Sequence, residues 1–398
     1  MSNMTCYEDL MYRGLIKDQT NTPDFVEKLN KGGMTFYIGT DPTADSMHIG
    51  HLSSFLICER LAKYGHHPIV LVGGATGLIG DPRDTTEREE SQKDVIAKNV
   101  EGLKAQLARY FPNCEMVNNL DWTQDITMID FLRDVGKYFN VPYMLNKDII
   151  RRRLEEGISY CEFSYQLLQA YDFLWLYQHK DCIMEVAGQD QWGNITSGVE
   201  LIKKVLGKEA YAFTMPLVTT KSGVKFGKSE GNALWLDKEK TSPYQMYQYL
   251  VNSDDEMVIP YLKRFTFLEK EEIDALEEKV RTEPEKREAG KRLAFEVVKY
   301  LHGEEEAIKA KETSEKLFSG ELMAENMPTI EISSDNRGIM DIMVSAEIAP
   351  SKSEARRLIT QGGVTLDGEK VTDVNLQVEK NSFVLAKGKK KIVKIEIK

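Results

Sequence analysis

Residues 35–72 read TFYIGTDPTADSMHIGHLSSFLICERLAKYGHHPIVLV, and this stretch decides the fold. Thr35 to Gly39 alternates in polarity, and Ile69 to Val72 is a continuous apolar run, as in strands buried on both faces of a parallel sheet. Between them Ile49, Leu52, Phe55, Leu56 and Leu61 recur at helical spacing, with Ser46 the expected N-cap and Gly65 the stop. The unit is β-α-β. A second copy of the arrangement lies further on, in runs at Cys182–Val186 and Phe213–Val218 with a helical pattern from Ile195 to Leu206 between them. Together they predict an α/β, doubly wound Rossmann-like domain with its binding crevice at the C-terminal ends of the strands.

Working outward, the text after Trp235 turns Glu/Lys-rich and helical, as at Glu269–Lys279 and Ala289–Tyr300. A stretch bearing Pro328, Ser333, Ser334, Asp335, Asn336 and Gly338 reads as a linker. Beyond it Ser351–Thr360 is helical by pattern, and Gly362 to Gly368 resembles a hairpin with an Asp-Gly turn. The expected division is a catalytic domain over 1–224, a lysine-rich loop and α-helical domain over 225–320, a linker over 321–338 and a small α+β module over 339–398. A chain of 398 residues suits several domains. With 41% hydrophobic and 29% charged residues and no apolar run of about 18, it is expected to be soluble. The first residues lack signal-peptide or transit features, and five scattered cysteines give neither a disulfide framework nor CxxC pairs, so a cytoplasmic location is expected. The net charge of -11 disfavours a nucleic-acid partner, but it is unevenly placed: residues 350–398 carry 11 Lys/Arg against 6 Asp/Glu. A basic tail on an acidic body can grip RNA.

Four constellations carry chemistry. Asp41 to His51 joins the first strand to the first helix, where free N–H groups and the helix dipole receive phosphates. Its His48 and His51 share a helix face, and with no third ligand nearby no metal site is expected; capping or packing is the bland alternative. Gly73-Gly74-Ala75-Thr76-Gly77-Leu78-Ile79-Gly80-Asp81-Pro82 follows the second strand and alone marks no more than a tight turn. In Phe163 to Trp175, Tyr165, Gln169 and Asp172 fall at i, i+4 and i+7 and form a polar stripe on an apolar helix. A solvated face would favour Lys and Glu, whereas Tyr, Gln and Asp bordered by Leu, Phe and Trp suit a small polar ligand. Finally Lys221 to Gly231 sets Lys221, Lys225 and Lys228 among glycines and serines, fit to close on a polyphosphate or to be an ordinary basic surface loop.

The pairing of His48-Ile49-Gly50-His51 with Lys225-Phe226-Gly227-Lys228-Ser229 resembles class I aminoacyl-tRNA synthetases. The text at 37–51, 76–82, 162–172 and 190–194 resembles the bacterial tyrosyl-tRNA synthetase family, over nearly the whole chain, and residues from about Met340 resemble its S4-like RNA-binding module. The resemblance implies two steps: tyrosine and ATP form a tyrosyl-adenylate, and the tyrosyl group passes to the 3′-terminal adenosine of tRNA(Tyr). By it, Tyr37 and Asp172 would bind the substrate phenol, and Tyr165, Gln169 and Asp81 its ammonium. Gly39, Asp41, Gly50, Gly188, Asp190, Gln191 and Lys228 would line the ATP and adenylate site. Thr43 and His48 would face the γ-phosphate and His51 the ribose, while Lys225, Lys228 and Ser229 would close over pyrophosphate. Lys352, Arg356, Arg357, Lys389, Lys390 and Lys391 would contact tRNA. The family is homodimeric and uses ATP as substrate with Mg²⁺ bound to it, so no dedicated protein metal site is expected.

The sequence departs from the family pattern in places. Arg83-Asp84-Thr85-Thr86 stands where Gly-Lys-Lys is common, leaving Arg83 or Arg88 as substitutes, and Glu185 and Ala187 stand where Gln and Gly are common beside the tyrosine pocket. Two other readings compete. A tryptophanyl or other HxGH nucleotidyltransferase is disfavoured by the Tyr37/Asp172 pair and the tail, and an RNA-binding protein that has lost catalysis is disfavoured by intact His48, His51, Lys225 and Lys228.

Overall fold

The computed structural model describes residues 4–82, 92–224, 226–229, 232–319, 329–333, 337–388 and 391–398. The chain forms two compact units, one of residues 1–237 with 263–270 and one of residues 238–262 with 271–398.

The first unit is built on β1 (Thr35–Thr40), β2 (His67–Val72), β3 (Glu115–Asn118), β4 (Cys182–Gly188) and β5 (Tyr211–Met215). They form one parallel sheet in the order β3-β2-β1-β4-β5. The direction of winding reverses between β1 and β4, which places a crevice at their C-terminal ends. Strands β2, β4 and β5 are buried along nearly their whole length, as their apolar runs predict, and the alternating β1 is buried at Phe36, Tyr37 and Ile38. Strand β5 stops at Met215 rather than running on to Val218, because Pro216 has no N–H for the ladder. The outer edge of β5 is covered by residues 17–20, with Lys17 N donating to Thr214 O at 2.7 Å and Thr214 N to Asp18 O at 2.7 Å. That cover protects an edge which would otherwise present unpaired groups.

Ser46 is not the cap of the first crossover helix, Ile49–Lys63. The cap is His48, whose ring Nδ1 accepts from Gly50 N at 3.1 Å. Ser46 is buried and accepts instead from Gln106 Nε2 at 2.8 Å. The Tyr160–Lys180 helix starts on Ser159, whose hydroxyl accepts from Glu162 N. Its first turn is anchored by a buried pair, Arg153 to Glu162 at 2.7 Å. It packs on Trp192–Leu206, the helix that follows β4, and a Cβ at Gly198 would lie 3.0 Å from Phe173, so glycine sets that close approach.

The second unit holds helices Pro243–Val251, Glu288–His302 and Glu304–Ser319, which pack on one another. It also holds a mixed five-stranded sheet with Glu369–Lys370, Val364–Leu366, Ser382–Lys387, Lys391–Ile397 and Thr329–Ile332 in that spatial order. Helices Ile339–Ser345 and Lys352–Thr360 complete its core around Ile342, Met343, Ile359, Leu385 and Ile395. The hairpin turn is the expected Asp367-Gly368, both at positive φ (49° and 85°).

Candidate active site

A cavity of about 1250 Å³ opens in the first unit at the C-terminal ends of β1, β4 and β5. Its wall includes every residue of that unit expected to bind amino acid or nucleotide and described with its side chain: Tyr37, Gly39, Asp41, Thr43, His48, Gly50, His51, Asp81, Tyr165, Gln169, Asp172, Gly188, Asp190 and Gln191. Lys225, Arg83 and Arg88 lie outside the described residues. Lys228 and Ser229 form a short strand against Asn232–Ala233, and their side chains lie outside the description. In the second unit Lys352 pairs with Asp341 at 2.5 Å and Arg357 with Glu354 at 2.6 Å, both on the surface, and Arg356 is exposed. Lys389, Lys390 and the Lys391 side chain lie outside the description.

One hydrogen-bond network runs along the cavity. Tyr165 Oη donates to Asp41 Oδ2 at 3.0 Å, and Thr76 Oγ1 donates to Asp41 Oδ1 at 2.7 Å. Asn119 Nδ2 donates to Thr76 Oγ1 at 3.0 Å and to Asp172 Oδ2 at 2.9 Å, while Trp122 Nε1 donates to Asp172 Oδ1 at 2.8 Å. Asn119 is fully buried and its own oxygen accepts from Ala75 N at 2.8 Å, which ties the turn after β3 to the glycine-rich loop after β2. That loop needs its glycine: a Cβ at Gly73 would lie 2.2 Å from Thr76 Oγ1 and 2.3 Å from Asp41 Oδ1. Asp81 is held separately, accepting from Gln191 Nε2 at 2.7 Å and from Asn194 Nδ2 at 3.0 Å.

At the base of the cavity lie Tyr37, Asp172 and Glu185, each no more than 3% exposed. Tyr37 and Glu185 are register partners on β1 and β4, so their side chains stand side by side on one face of the sheet. Gln169 Nε2 donates to Glu185 Oε1 at 2.9 Å. The Tyr37 hydroxyl lies close enough to the Glu185 carboxylate to moderate its pKa, but outside hydrogen-bonding geometry. Burial pushes Asp172 up to about 7 against the pull of Asn119 and Trp122, with the Glu185 and Asp41 charges adding to the rise. Burial likewise raises Glu185 to about 7, opposed by Gln169 and Tyr37. The phenols of Tyr37 and Tyr165 are pushed well above their ordinary range, first by burial and then by the carboxylates beside them.

The other end of the cavity holds the paired histidines. His51 Nδ1 accepts from His48 N at 3.2 Å, and the two rings stack with centroids 3.9 Å apart. Both Nδ1 atoms accept, so in the neutral rings the proton is on Nε2. The chain beyond the lysine-rich loop is pinned to this helix start, with Ile49 N donating to Leu234 O at 2.9 Å and Leu236 N to Met47 O at 2.8 Å. Phe226 from the loop lines the cavity. Two helix N-termini, at Ile49 and Trp192, start at the cavity wall, and helix N-termini favour anions.

These features agree with what known proteins show. The family described as tRNA synthetases class I (W and Y) matches residues 29–319, and the tyrosine--tRNA ligase SYY-like C-terminal domain matches residues 320–395. The chain belongs to the class I tyrosyl-tRNA synthetase family. Tyrosine--tRNA ligase 1 of Bacillus subtilis (strain 168) is 48% identical over 410 residues, covering 96% of this chain and 97% of that protein. Tyrosine--tRNA ligase of Bacillus velezensis is 47% identical at the same coverage. Among solved structures, the C-terminally truncated mitochondrial tyrosyl-tRNA synthetase of Aspergillus nidulans superposes with a TM-score of 0.69 at 33% identity, covering 79% of this chain and 95% of that one. A tyrosyl-tRNA synthetase of Archaeoglobus fulgidus shares the fold at a TM-score of 0.57 and 16% identity, over 77% of this chain and all of that one.

Sequence reasoning assigned no role to Thr76, Asn119, Trp122, Asn194 or Lys147 of this synthetase. Lys147 Nζ lies at the cavity wall and donates to Gly193 O at 2.6 Å and Thr196 Oγ1 at 3.0 Å, fixing the start of the Trp192–Leu206 helix. Thr76 and Asn194 stood inside stretches already singled out, so their neighbours were the available signal.

Proposed function

We propose that this chain is a tyrosine–tRNA ligase that activates L-tyrosine with ATP, releases pyrophosphate and passes the tyrosyl group to the 3′-terminal adenosine of tRNA(Tyr). The observation that carries this reading is the buried cavity base of Tyr37 and Asp172, with Asp172 joined by one network to Asp41 at the strand ends. Both Asp172 oxygens are oriented by fixed donors, which suits an acceptor for a phenol proton, while Tyr37 supplies a hydroxyl to the phenol oxygen. Tyr165, Gln169 and Asp81 hold the ammonium. Gly39, Asp41, Gly50, Gly188, Asp190 and Gln191 line the adenylate.

The tyrosine carboxylate is ionised at neutral pH and attacks the α-phosphate without a general base. The protein's task is in-line positioning and balancing charge on the departing pyrophosphate. Thr43, His48 and His51 serve the phosphates and ribose at the helix start, and Lys225, Lys228 and Ser229 close over pyrophosphate. ATP enters as its Mg²⁺ complex. Functionally, residues 1–224 bind and activate tyrosine, 225–320 add the closing loop and the helical domain, and 339–398, beyond the linker at 321–338, grip tRNA through Lys352, Arg356, Arg357 and Lys389–Lys391.

A homodimer fits the apolar surface from 128 to 160, where Met128, Ile129, Val141, Leu154 and Tyr160 are exposed. Cytoplasmic location suits an enzyme of translation with five free thiols. Tyrosine-dependent ATP–pyrophosphate exchange, compared with phenylalanine and tryptophan, tests the activity. Tyr37→Phe is expected to lower the ratio of kcat/KM for tyrosine over phenylalanine, chiefly by weakening tyrosine. Equal ratios in the parent and the variant would mean that Tyr37 does not read the phenol.

A further inference from the structure

Residues 263–270 belong to the first unit, although the chain on either side of them belongs to the second. They comprise the end of the helix Asp255–Phe265 and the chain just after it, and a buried cluster of two guanidiniums and one carboxylate holds them. Arg13 Nη2 donates to Leu268 O at 2.8 Å and its Nη1 to Lys263 O at 3.1 Å, while Arg60 Nη2 donates to Thr266 O at 2.8 Å. Asp9 stands between the two, accepting from Arg13 Nε at 2.6 Å and from Arg60 Nη1 at 3.4 Å. A helix C-terminus offers unpaired carbonyls and negative potential, which is why two buried cations are accommodated around one carboxylate. The segment so fixed sets Phe265, 2% exposed, against Phe226 of the lysine-rich loop, with ring centroids 5.4 Å apart and planes at 34°. Phe226 follows Lys225 directly and precedes Lys228 by two residues, and its N donates to Val218 O at 2.9 Å. Beside it Gly227, at a φ of 80°, lies so near the first crossover helix that a Cβ would meet Ile49 Cγ2 at 2.3 Å.

We propose that Phe265 is a positioning residue for tyrosine activation: its ring seats Phe226 and so sets where Lys225 and Lys228 stand when pyrophosphate departs. This rests on the reading that those lysines close over pyrophosphate. One helix, Ile49–Lys63, carries both ends of the arrangement, with Ile49 against Gly227 at its start and Arg60 holding the Phe265 segment at its last turn. The paired histidines, the loop and the Phe265 segment are therefore all referenced to one rigid element. The lysine charges count for most where negative charge builds on the leaving group. A displaced loop thus slows the chemical step and leaves tyrosine binding, at the base of the cavity, unchanged.

The test is single-turnover adenylate formation from L-tyrosine and ATP with Mg²⁺, together with the calorimetric Kd for tyrosine, in the full chain as parent, Phe265→Leu, Lys228→Ala and the double variant. Leucine keeps an apolar side chain in the buried place and removes the ring contact. Phe265→Leu should lower the rate constant about tenfold, short of the roughly hundredfold cost of a 1 Å misplacement, with the tyrosine Kd within about twofold of the parent. In the Lys228→Ala background the same change should cost less than about threefold, because a charge that Phe265 places is already gone. A merely structural role would give the same factor in both backgrounds. Phe226→Leu breaks the contact from the loop side and should reproduce the tenfold loss, which decides the matter where Phe265→Leu folds poorly. Parent-like rates in these leucine variants, an equal loss in both backgrounds, or a matching loss of tyrosine affinity overturns the inference. If Lys228→Ala leaves adenylate formation unchanged, the reading of the loop falls; if Lys228 matters and Phe265 does not, only this inference falls.

Discussion

Tyrosine binding should weaken as pH falls from 8 to 6, and the reason lies in the two buried carboxyls. Asp172 sits at about 7 instead of 3.8, and Glu185 at about 7 instead of 4.5. Both are raised, so the folded protein holds protons that the unfolded chain releases. Their contribution to stability is therefore full below about pH 4 and is lost as pH rises through about 7. For Asp172 the rise corresponds to about 4 kcal/mol at pH 8. Binding runs the other way. Asn119 and Trp122 occupy one lone pair on each Asp172 oxygen, so an added proton must take a remaining lone pair, the kind the substrate phenol needs. With a midpoint near 7, about nine in ten Asp172 side chains are ionised at pH 8 and about one in ten at pH 6, which predicts an affinity loss of about tenfold. Calorimetry of L-tyrosine binding without ATP avoids the titration of the nucleotide, and comparing buffers of different ionisation enthalpy should show net proton release near pH 7. Glu185→Gln removes a like charge that raises Asp172, so the midpoint should move to lower pH. An affinity that is flat between pH 6 and 8, or a midpoint indifferent to Glu185→Gln, would refute the assignment of Asp172 as phenol acceptor.

Gly73→Ala would force its Cβ to within 2.2 Å of Thr76 Oγ1 and 2.3 Å of Asp41 Oδ1, parting that pair; adenylate formation in single-turnover assays should fall by about a hundredfold, as for a 1 Å misplacement. Arg153→Ala leaves Glu162 buried without its 2.7 Å partner and should cost about 3–5 kcal/mol in urea unfolding, so a loss under about 1 kcal/mol would show the pair to be structurally idle. Removing residues 340–398 should leave tyrosine-dependent pyrophosphate exchange nearly intact while tRNA charging is lost; full-rate charging by the truncated chain would show the module to be dispensable.

What the sequence showed and what it hid follow one division, between local pattern and long-range register. Strands β2, β4 and β5 were legible because burial on both faces writes an apolar run, β1 because its residues alternate, and the Tyr165/Gln169/Asp172 stripe because helical spacing is a property of one segment. Strand β3 was not: it is an edge strand of four residues, beginning on exposed Glu115 and Met116. Ser46 was the expected cap because hydroxyl, carboxyl and amide side chains are the usual caps, but it lies two residues too early, and His48, for which capping was the bland alternative, takes the place. Asn119 and Trp122 could not be assigned roles, since their partner Asp172 lies 53 and 50 residues away and only the folded sheet brings them together. Glu185 makes the same point most sharply. Its identity marked a departure from the family pattern, but only the parallel register that sets it against Tyr37, and the helix turn that brings Gln169 to one of its oxygens, place it at the base of the cavity. Each of the two acids at the base therefore has a different state of satisfaction, Asp172 with both oxygens held and Glu185 with one, a difference set by long-range register that no single segment of sequence encodes.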